Sequence, residues 1–111
     1  MRVLVTGGAG FIGANFVHWT QRHRPEVTLT VLDALTYAAD GSSLAGADVE
    51  LVQGDVADAA LLDRLLPAVD LVVHFAAETH NDNSIGDPTP FLHSNVVGTF
   101  TLLEAVRRHG V

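Results

Sequence analysis

Three glycines spaced three residues apart, Gly7, Gly10 and Gly13, follow the apolar run Val3-Leu4-Val5 and lead into a helical pattern. Glycine at the first position lets a chain leaving a strand turn sharply. At the second it removes the Cβ that would keep a phosphate away from the backbone. At the third it lets the following helix pack close to the strand, with the positive end of its dipole towards an anion. Asp33 stands twenty positions after Gly13, at the end of a second apolar run. A Gly-rich turn alone is ordinary. One that follows a strand, opens a helix and has a carboxylate at this distance fits a dinucleotide pyrophosphate and its ribose. Asp33 would accept both ribose hydroxyls and repel a 2′-phosphate. Ala34 follows it and no Arg or Lys lies within the next eight residues, so the pattern favours NAD over NADP.

Further polar groups stand where other strands end. Asp55, after Gly54, is placed to accept from an adenine amino group, although Gly-Asp is also common turn chemistry. Ligands of open α/β sheets bind beyond the carboxyl ends of the strands, which favours the first reading. Small Ala76 and Ala77, after Phe75, would let the stretch of cofactor between phosphate and nicotinamide pass close to the backbone. His18, His23, His74, His80, His93 and His109 show no metal-ligand spacing with a carboxylate, so they are read as solvated or packed and no metal site is expected. His80 stands apart because it lies in the polar loop after the fourth strand. Tyr37 is the sole tyrosine, and a tyrosine base in such a fold needs a lysine four residues on to lower its pKa. Position 41 is glycine and the chain has no lysine, so no catalytic proton-transfer residue is assigned.

Positioning these groups calls for alternating strands and helices, the pattern of βαβ units around a parallel sheet. Strands are expected over residues 2–6, 27–32, 49–53 and 70–75, in the order 3-2-1-4. A helix over 11–24, closed by Pro25, carries Ile12, Phe16 and Trp19 on one face, which assigns Trp19 to the core. Asp58 is suited to cap a short helix bearing Leu61, Leu62, Leu65 and Leu66. A last helix runs from Pro90 to His109, with Gly110 as its cap and Arg107, Arg108 and His109 at the negative end of its dipole. Its sheet-covering stripe is expected to be Leu92, Val96, Thr99, Leu103 and Val106. Val97, Phe100, Leu102 and Ala105 extend apolar surface around most of the circumference. A helix apolar nearly all round is buried on more than one side, so Val97, Phe100 and Leu102 are expected to meet a later segment or a partner subunit.

The 111 residues amount to one small domain or part of a larger one, with 48% hydrophobic residues available for a core. Six basic residues against thirteen acidic ones give a net charge of −7. With no basic cluster, neither nucleic acid nor an anionic membrane is an expected partner. Absence of cysteine excludes disulfides and thiolate metal sites. Met1-Arg2 leads straight into a strand and no apolar run approaches membrane-spanning length, so a soluble cytoplasmic protein without a secretory leader is expected.

Together the stretches Thr6-Gly7-Gly8-Ala9-Gly10-Phe11-Ile12-Gly13, Asp33-Ala34-Leu35-Thr36-Tyr37-Ala38 and Gly54-Asp55-Val56 resemble the extended short-chain dehydrogenase/reductase family. So do His74-Phe75-Ala76-Ala77-Glu78-Thr79-His80, Asp82, Ser84-Ile85 and Asn95-Val96-Val97-Gly98-Thr99. The run after Asp33 and the Ala-Ala-Glu-Thr-His loop are most similar to its nucleotide-sugar dehydratases, with a departure at Asn81, where the family more often has valine. The resemblance implies the first half of a Rossmann-type doubly wound α/β domain. It implies NAD contacts at Phe11, Ile12, Asp33, Ala34, Leu35, Thr36, Asp55, Val56, Phe75, Ala76, Ala77 and Ser94. Thr79 and His80 would face a sugar nucleotide. The implied reaction is oxidation at C4 of a nucleotide-activated glucose, loss of water across C5 and C6, and reduction at C6. In that family the Thr-Asp-Glu acid/base stretch, the Tyr-x-x-x-Lys pair and the sugar-binding domain come later than these motifs. Residues 1–111 are therefore expected to be the N-terminal portion of an NAD-binding domain, inactive alone, of a protein that dimerises through the helix over 90–109. A UDP-hexose epimerase or decarboxylase of the same family is the nearest alternative reading. A non-catalytic NAD-binding module is the other.

Overall fold

The computed structural model describes residues 1–35, 41–76 and 86–111. Strands β1 (Arg2–Thr6), β2 (Thr28–Asp33), β3 (Glu50–Gln53) and β4 (Leu71–His74) form one parallel sheet in the order β3-β2-β1-β4. This is the expected order, with strand ends shifted by a residue. Helix α1 (Phe11–His23) connects β1 to β2, and α2 (Ala59–Leu65) lies between β3 and β4. Helix α3 occupies residues 89–109 as three consecutive stretches: α-helical Thr89–Phe91, π-helical Leu92–Gly98 and α-helical Thr99–His109.

Both faces of a parallel sheet are covered by helices, so its central strands bury side chains pointing either way. Val3, Val5, Leu29 and Val31 pack on one face with Ala14 and Val17 of α1. Leu4 and Leu32 pack on the other with Leu61 and Leu62 of α2 and Leu102 and Ala105 of α3. Asp58 caps α2 as expected, its carboxylate accepting from the Leu61 N–H at 3.1 Å. Gly110 ends α3 in the left-handed conformation at φ 67°, and the Val111 N–H reaches back to the Val106 carbonyl oxygen at 3.1 Å. The basic residues of that last turn do more than face the dipole. Arg108 and His109 both donate to Asp63 Oδ1, at 3.0 and 2.8 Å, and pin α3 to α2.

Two helix faces differ from expectation. In α1 the buried positions are Gly13, Ala14, Val17 and Thr20, with Phe16 partly buried against the Phe75 ring. Ile12 and Trp19 are 66% and 54% exposed, and Trp19 stacks on His23 instead of entering the core. The helix starts so close to the strand end that its first inward position must be Gly13, with Ala14 and Val17 following on the buried face. In α3 the sheet-covering face is Gly98, Leu102 and Ala105, with Val106 partly buried. Leu92, Val96 and Leu103, expected against the sheet, are exposed together with Val97 and Phe100. Leu102, expected on the outer stripe, is buried at 3%. The π-helical stretch holds more residues per turn than the 3.6 of an α-helix, so a stripe counted at that period across Leu92–Gly98 drifts off its face.

Candidate functional site

The turn between β1 and α1 is closed by contacts that tolerate no Cβ. Gly7 has φ +69°, and a Cβ there would lie 2.6 Å from both the Phe75 carbonyl carbon and the Ala76 nitrogen. A Cβ on Gly13 would overlap the Gly7 carbonyl oxygen. These close approaches let the first turn of α1 begin directly over the end of β1. Gly10 is the N-cap and offers no side chain to the helix, whose first turn holds no acidic residue. Its missing Cβ would meet only the Gly7 carbonyl oxygen, at 3.4 Å, so the space before the helix is open. First-turn N–H groups, a positive dipole end and an open cradle together suit an anionic phosphate group. Phe11 and Ile12 flank this opening as exposed apolar side chains.

Asp33 does more than end β2. It is 9% exposed, and its carboxylate accepts from the Ala9 N–H at 3.0 Å through Oδ2 and from the Leu35 N–H at 2.8 Å through Oδ1. One charged group therefore ties the glycine turn to the segment leaving β2. An ionised carboxylate has about four acceptor sites, so lone pairs remain for a ribose diol. Leu35 takes a left-handed φ of 55°, unusual for a leucine, and its bond to Asp33 helps to hold it there. Ala34 is exposed beside it. Ser43 donates to the Ala9 carbonyl oxygen at 2.6 Å, which fastens the next loop to the same turn.

Beyond β3, Asp55 accepts from the Ala57 N–H at 2.8 Å on one oxygen and from His93 Nε2 at 2.6 Å on the other. Partial burial raises its pKa, but the Ala57 N–H and the hydrogen bond and charge of His93 outweigh that and hold it below its ordinary value. The Val56 side chain is buried in the second core cluster, which leaves only its main chain to face a ligand. Beyond β4, Phe75 and Ala76 lie against Gly7. Ser94 is half-buried in the π-helical stretch, and among the described residues no hydrogen bond joins it to the other candidates. Gly7, Gly10, Phe11, Ile12, Gly13, Asp33, Ala34, Leu35, Asp55, Val56, Phe75 and Ala76 are thus placed at the carboxyl ends of the four strands. Thr36, Ala77, Thr79 and His80 lie outside the described residues.

Two histidines read as ordinary belong to this region. His93 holds Asp55, and nothing in the spacing of the two signals the pairing. His74 pairs in register with Thr6 across β1 and β4, a neighbour relation that the strand order 3-2-1-4 already implies. Thr6 Oγ1 accepts from the Ala76 N–H at 3.2 Å and lies 2.5 Å from His74 Nδ1; His74 Nε2 lies 3.1 Å from Thr99 Oγ1. With neutral imidazole, Thr6 donates to Nδ1 and Nε2–H donates to Thr99, a chain linking β1, β4 and α3. Burial disfavours the imidazolium and lowers the His74 pKa.

A parallel sheet of order 3-2-1-4, helices on both faces and a glycine turn under a helix N-terminus define the first half of a Rossmann-type doubly wound domain. The chain belongs to the NAD dependent epimerase/dehydratase family, whose model matches residues 3–111. It is 66% identical to a dTDP-glucose 4,6-dehydratase of Mycolicibacterium smegmatis and 62% identical to one of Mycobacterium tuberculosis. Each alignment covers 100% of this chain and 34% of the relative. The chain thus spans about a third of the length of these curated relatives. A dTDP-glucose 4,6-dehydratase of Streptomyces venezuelae, crystallised with NAD bound, is 48% identical with a TM-score of 0.92, over 100% of this chain and 37% of that one. A UDP-glucose-4-epimerase of Stenotrophomonas maltophila, also with bound NAD, is 33% identical with a TM-score of 0.89, over 100% of this chain and 34% of that one.

His74 should give the fold a pH signature. Its folded pKa is lowered, so its contribution to stability is full above the ordinary value of 6.5 and is lost as pH falls through that value towards the folded one. Denaturant midpoints measured between pH 7.5 and 5 should therefore fall more steeply in the wild type than in His74→Gln. Equal slopes would assign the pH dependence to other groups.

Proposed function

We propose that this chain is the NAD-binding part of an enzyme that dehydrates a nucleotide-activated glucose to its 4-keto-6-deoxy sugar. The observation that carries the cofactor half is the open glycine cradle before α1 with the buried carboxylate of Asp33 beside it. The substrate half is supported by the higher identity to dTDP-glucose 4,6-dehydratases than to the epimerase over the same residues.

In this reading the first-turn N–H groups of α1 hold the pyrophosphate, with Gly7, Gly10 and Gly13 keeping the approach clear. Asp33 accepts the adenosine ribose hydroxyls, and Ala34, Leu35 and Thr36 border them. Asp55 accepts from the adenine amino group, with the Val56 main chain alongside. Phe75, Ala76 and Ala77 border the stretch towards the nicotinamide, which Ser94 meets from α3. Thr79 and His80 face the sugar nucleotide. When bound, NAD supplies a hydride acceptor that later returns the hydride. These residues bind and orient; proton transfer falls to residues beyond Val111, as neither a lysine nor a Tyr/Lys pair is among the 111. The cytoplasm is the compartment where such a chain works. Among the described residues no helix is long and apolar enough to cross a membrane.

Titration with the two cofactors tests the assignment. NAD should bind at least about tenfold more tightly than NADP, and Asp33→Asn should narrow that ratio, because a charge that accepts the diol and repels a 2′-phosphate is lost. The full-length protein should also convert dTDP-glucose to a 4-keto product, while residues 1–111 alone should not. Equal wild-type affinities would remove the cofactor assignment, and lack of product from the full-length protein would remove the substrate.

The outer face of α3 supports a second element of the proposal, a homodimer joined through this helix. Leu92, Val96, Val97, Phe100 and Leu103 form one exposed apolar strip, and burying a phenylalanine and a leucine there contributes about 1.5–3 kcal/mol each. Phe100→Glu with Leu103→Gln should shift the full-length protein towards monomer in sedimentation. An unchanged dimer would place the interface elsewhere.

A further inference from the structure

The π-helical stretch Leu92–Gly98 meets the loop after β3 at two points. His93 Nε2 donates to Asp55 Oδ2 at 2.6 Å. Gly98 packs so closely on that loop that a Cβ would lie 2.6 Å from Val56 Cγ1 and 4.0 Å from the Ala57 nitrogen. His93 and Gly98 are five residues apart. In an α-helix that spacing puts two residues about 140° apart around the axis, so both cannot face one loop. A π-helix bonds i to i+5, which stacks residues five apart along one side. The local departure from α-helical geometry is what lets α3 present an imidazole and a missing side chain to the same three residues.

We propose that this π-helical stretch makes His93 a positioning residue for Asp55 and thereby sets recognition of the adenine amino group. The inference rests on the reading of Asp55 as the acceptor for that group. Asp55 lies half-exposed on a loop, where an unrestrained carboxylate would rotate. The Ala57 N–H holds Oδ1 and the imidazole holds Oδ2, two donors from separate elements that fix the carboxylate plane. Each oxygen keeps a lone pair for an incoming donor. A carboxylate ordered beforehand loses less freedom on binding, so the preference for an amino group over a carbonyl oxygen at that position sharpens.

The test compares affinities of the full-length protein for NAD and for nicotinamide hypoxanthine dinucleotide, which carries a carbonyl oxygen in place of the adenine amino group. Wild type should prefer NAD by about tenfold, as expected for a hydrogen bond to a charged acceptor. Asp55→Ala should abolish the preference. His93→Ala should reduce it to about twofold with the thermal midpoint unchanged, and His93→Gln, which restores a neutral donor, should recover most of it. If His93→Ala keeps the full preference while Asp55→Ala loses it, the positioning role is overturned and the adenine reading stands. If wild type shows no preference, or Asp55→Ala retains it, both are overturned.

Discussion

Everything at the carboxyl end of this sheet depends on the contact between Gly13 and the Gly7 carbonyl oxygen. With no Cβ in the way, α1 starts directly over β1 and its unpaired N–H groups open onto the sheet edge where the strands end. Gly7 repeats the device towards β4, because the same turn must pass against the Phe75–Ala76 backbone. A methyl group on Gly13 would push α1 off the end of β1, so that the dipole would no longer point at the crevice, and one on Gly7 would push the turn off the segment after β4. The exclusion of two side chains fixes the site before any ligand is present.

Around that turn the polar contacts run between elements rather than within them. Asp33 reaches back from β2 to Ala9, and Ser43 reaches the same residue from the following loop. Thr6, His74 and Thr99 join β1, β4 and α3, while His93 carries α3 to the loop after β3. Each strand end is thus tied to a neighbour by a group with acceptor capacity to spare or by a neutral imidazole. A site assembled from four loops needs such ties, because loops carry few apolar contacts of their own.

Much of this was legible in the sequence, and the exceptions have physical causes. The glycine spacing, Asp33, the Asp58 cap and the Gly110 terminus follow from local chemistry that each residue carries with it, and the strand order follows from the alternation of strands and helices after a dinucleotide-binding turn. The inner faces of α1 and α3 do not. Ile12 and Trp19 are the large apolar residues at helical spacing, yet close packing puts Gly13, Ala14, Val17 and Thr20 inside. In α3 the same spacing points to Leu92, Val96 and Leu103, but the π-helical stretch breaks the period and Gly98, Leu102 and Ala105 turn inward. His93 was hidden for the same reason, since its partner lies nearly forty residues back and its face depends on that stretch. His74 needed the β1–β4 pairing as well as its own identity.

The most direct measurement is NAD affinity and thermal stability in Gly10→Ala. Gly10 has an ordinary backbone conformation, φ −75° and ψ 177°, and a methyl there would touch only the Gly7 carbonyl oxygen at 3.4 Å, so the fold should lose no more than the ~1 kcal/mol by which alanine is a poorer N-cap than glycine. The same methyl would stand in the space before α1. If the pyrophosphate sits there, NAD binding should weaken by about tenfold or more while the protein stays folded. A stable Gly10→Ala variant that binds NAD as tightly as wild type would contradict the placement of the dinucleotide at this turn.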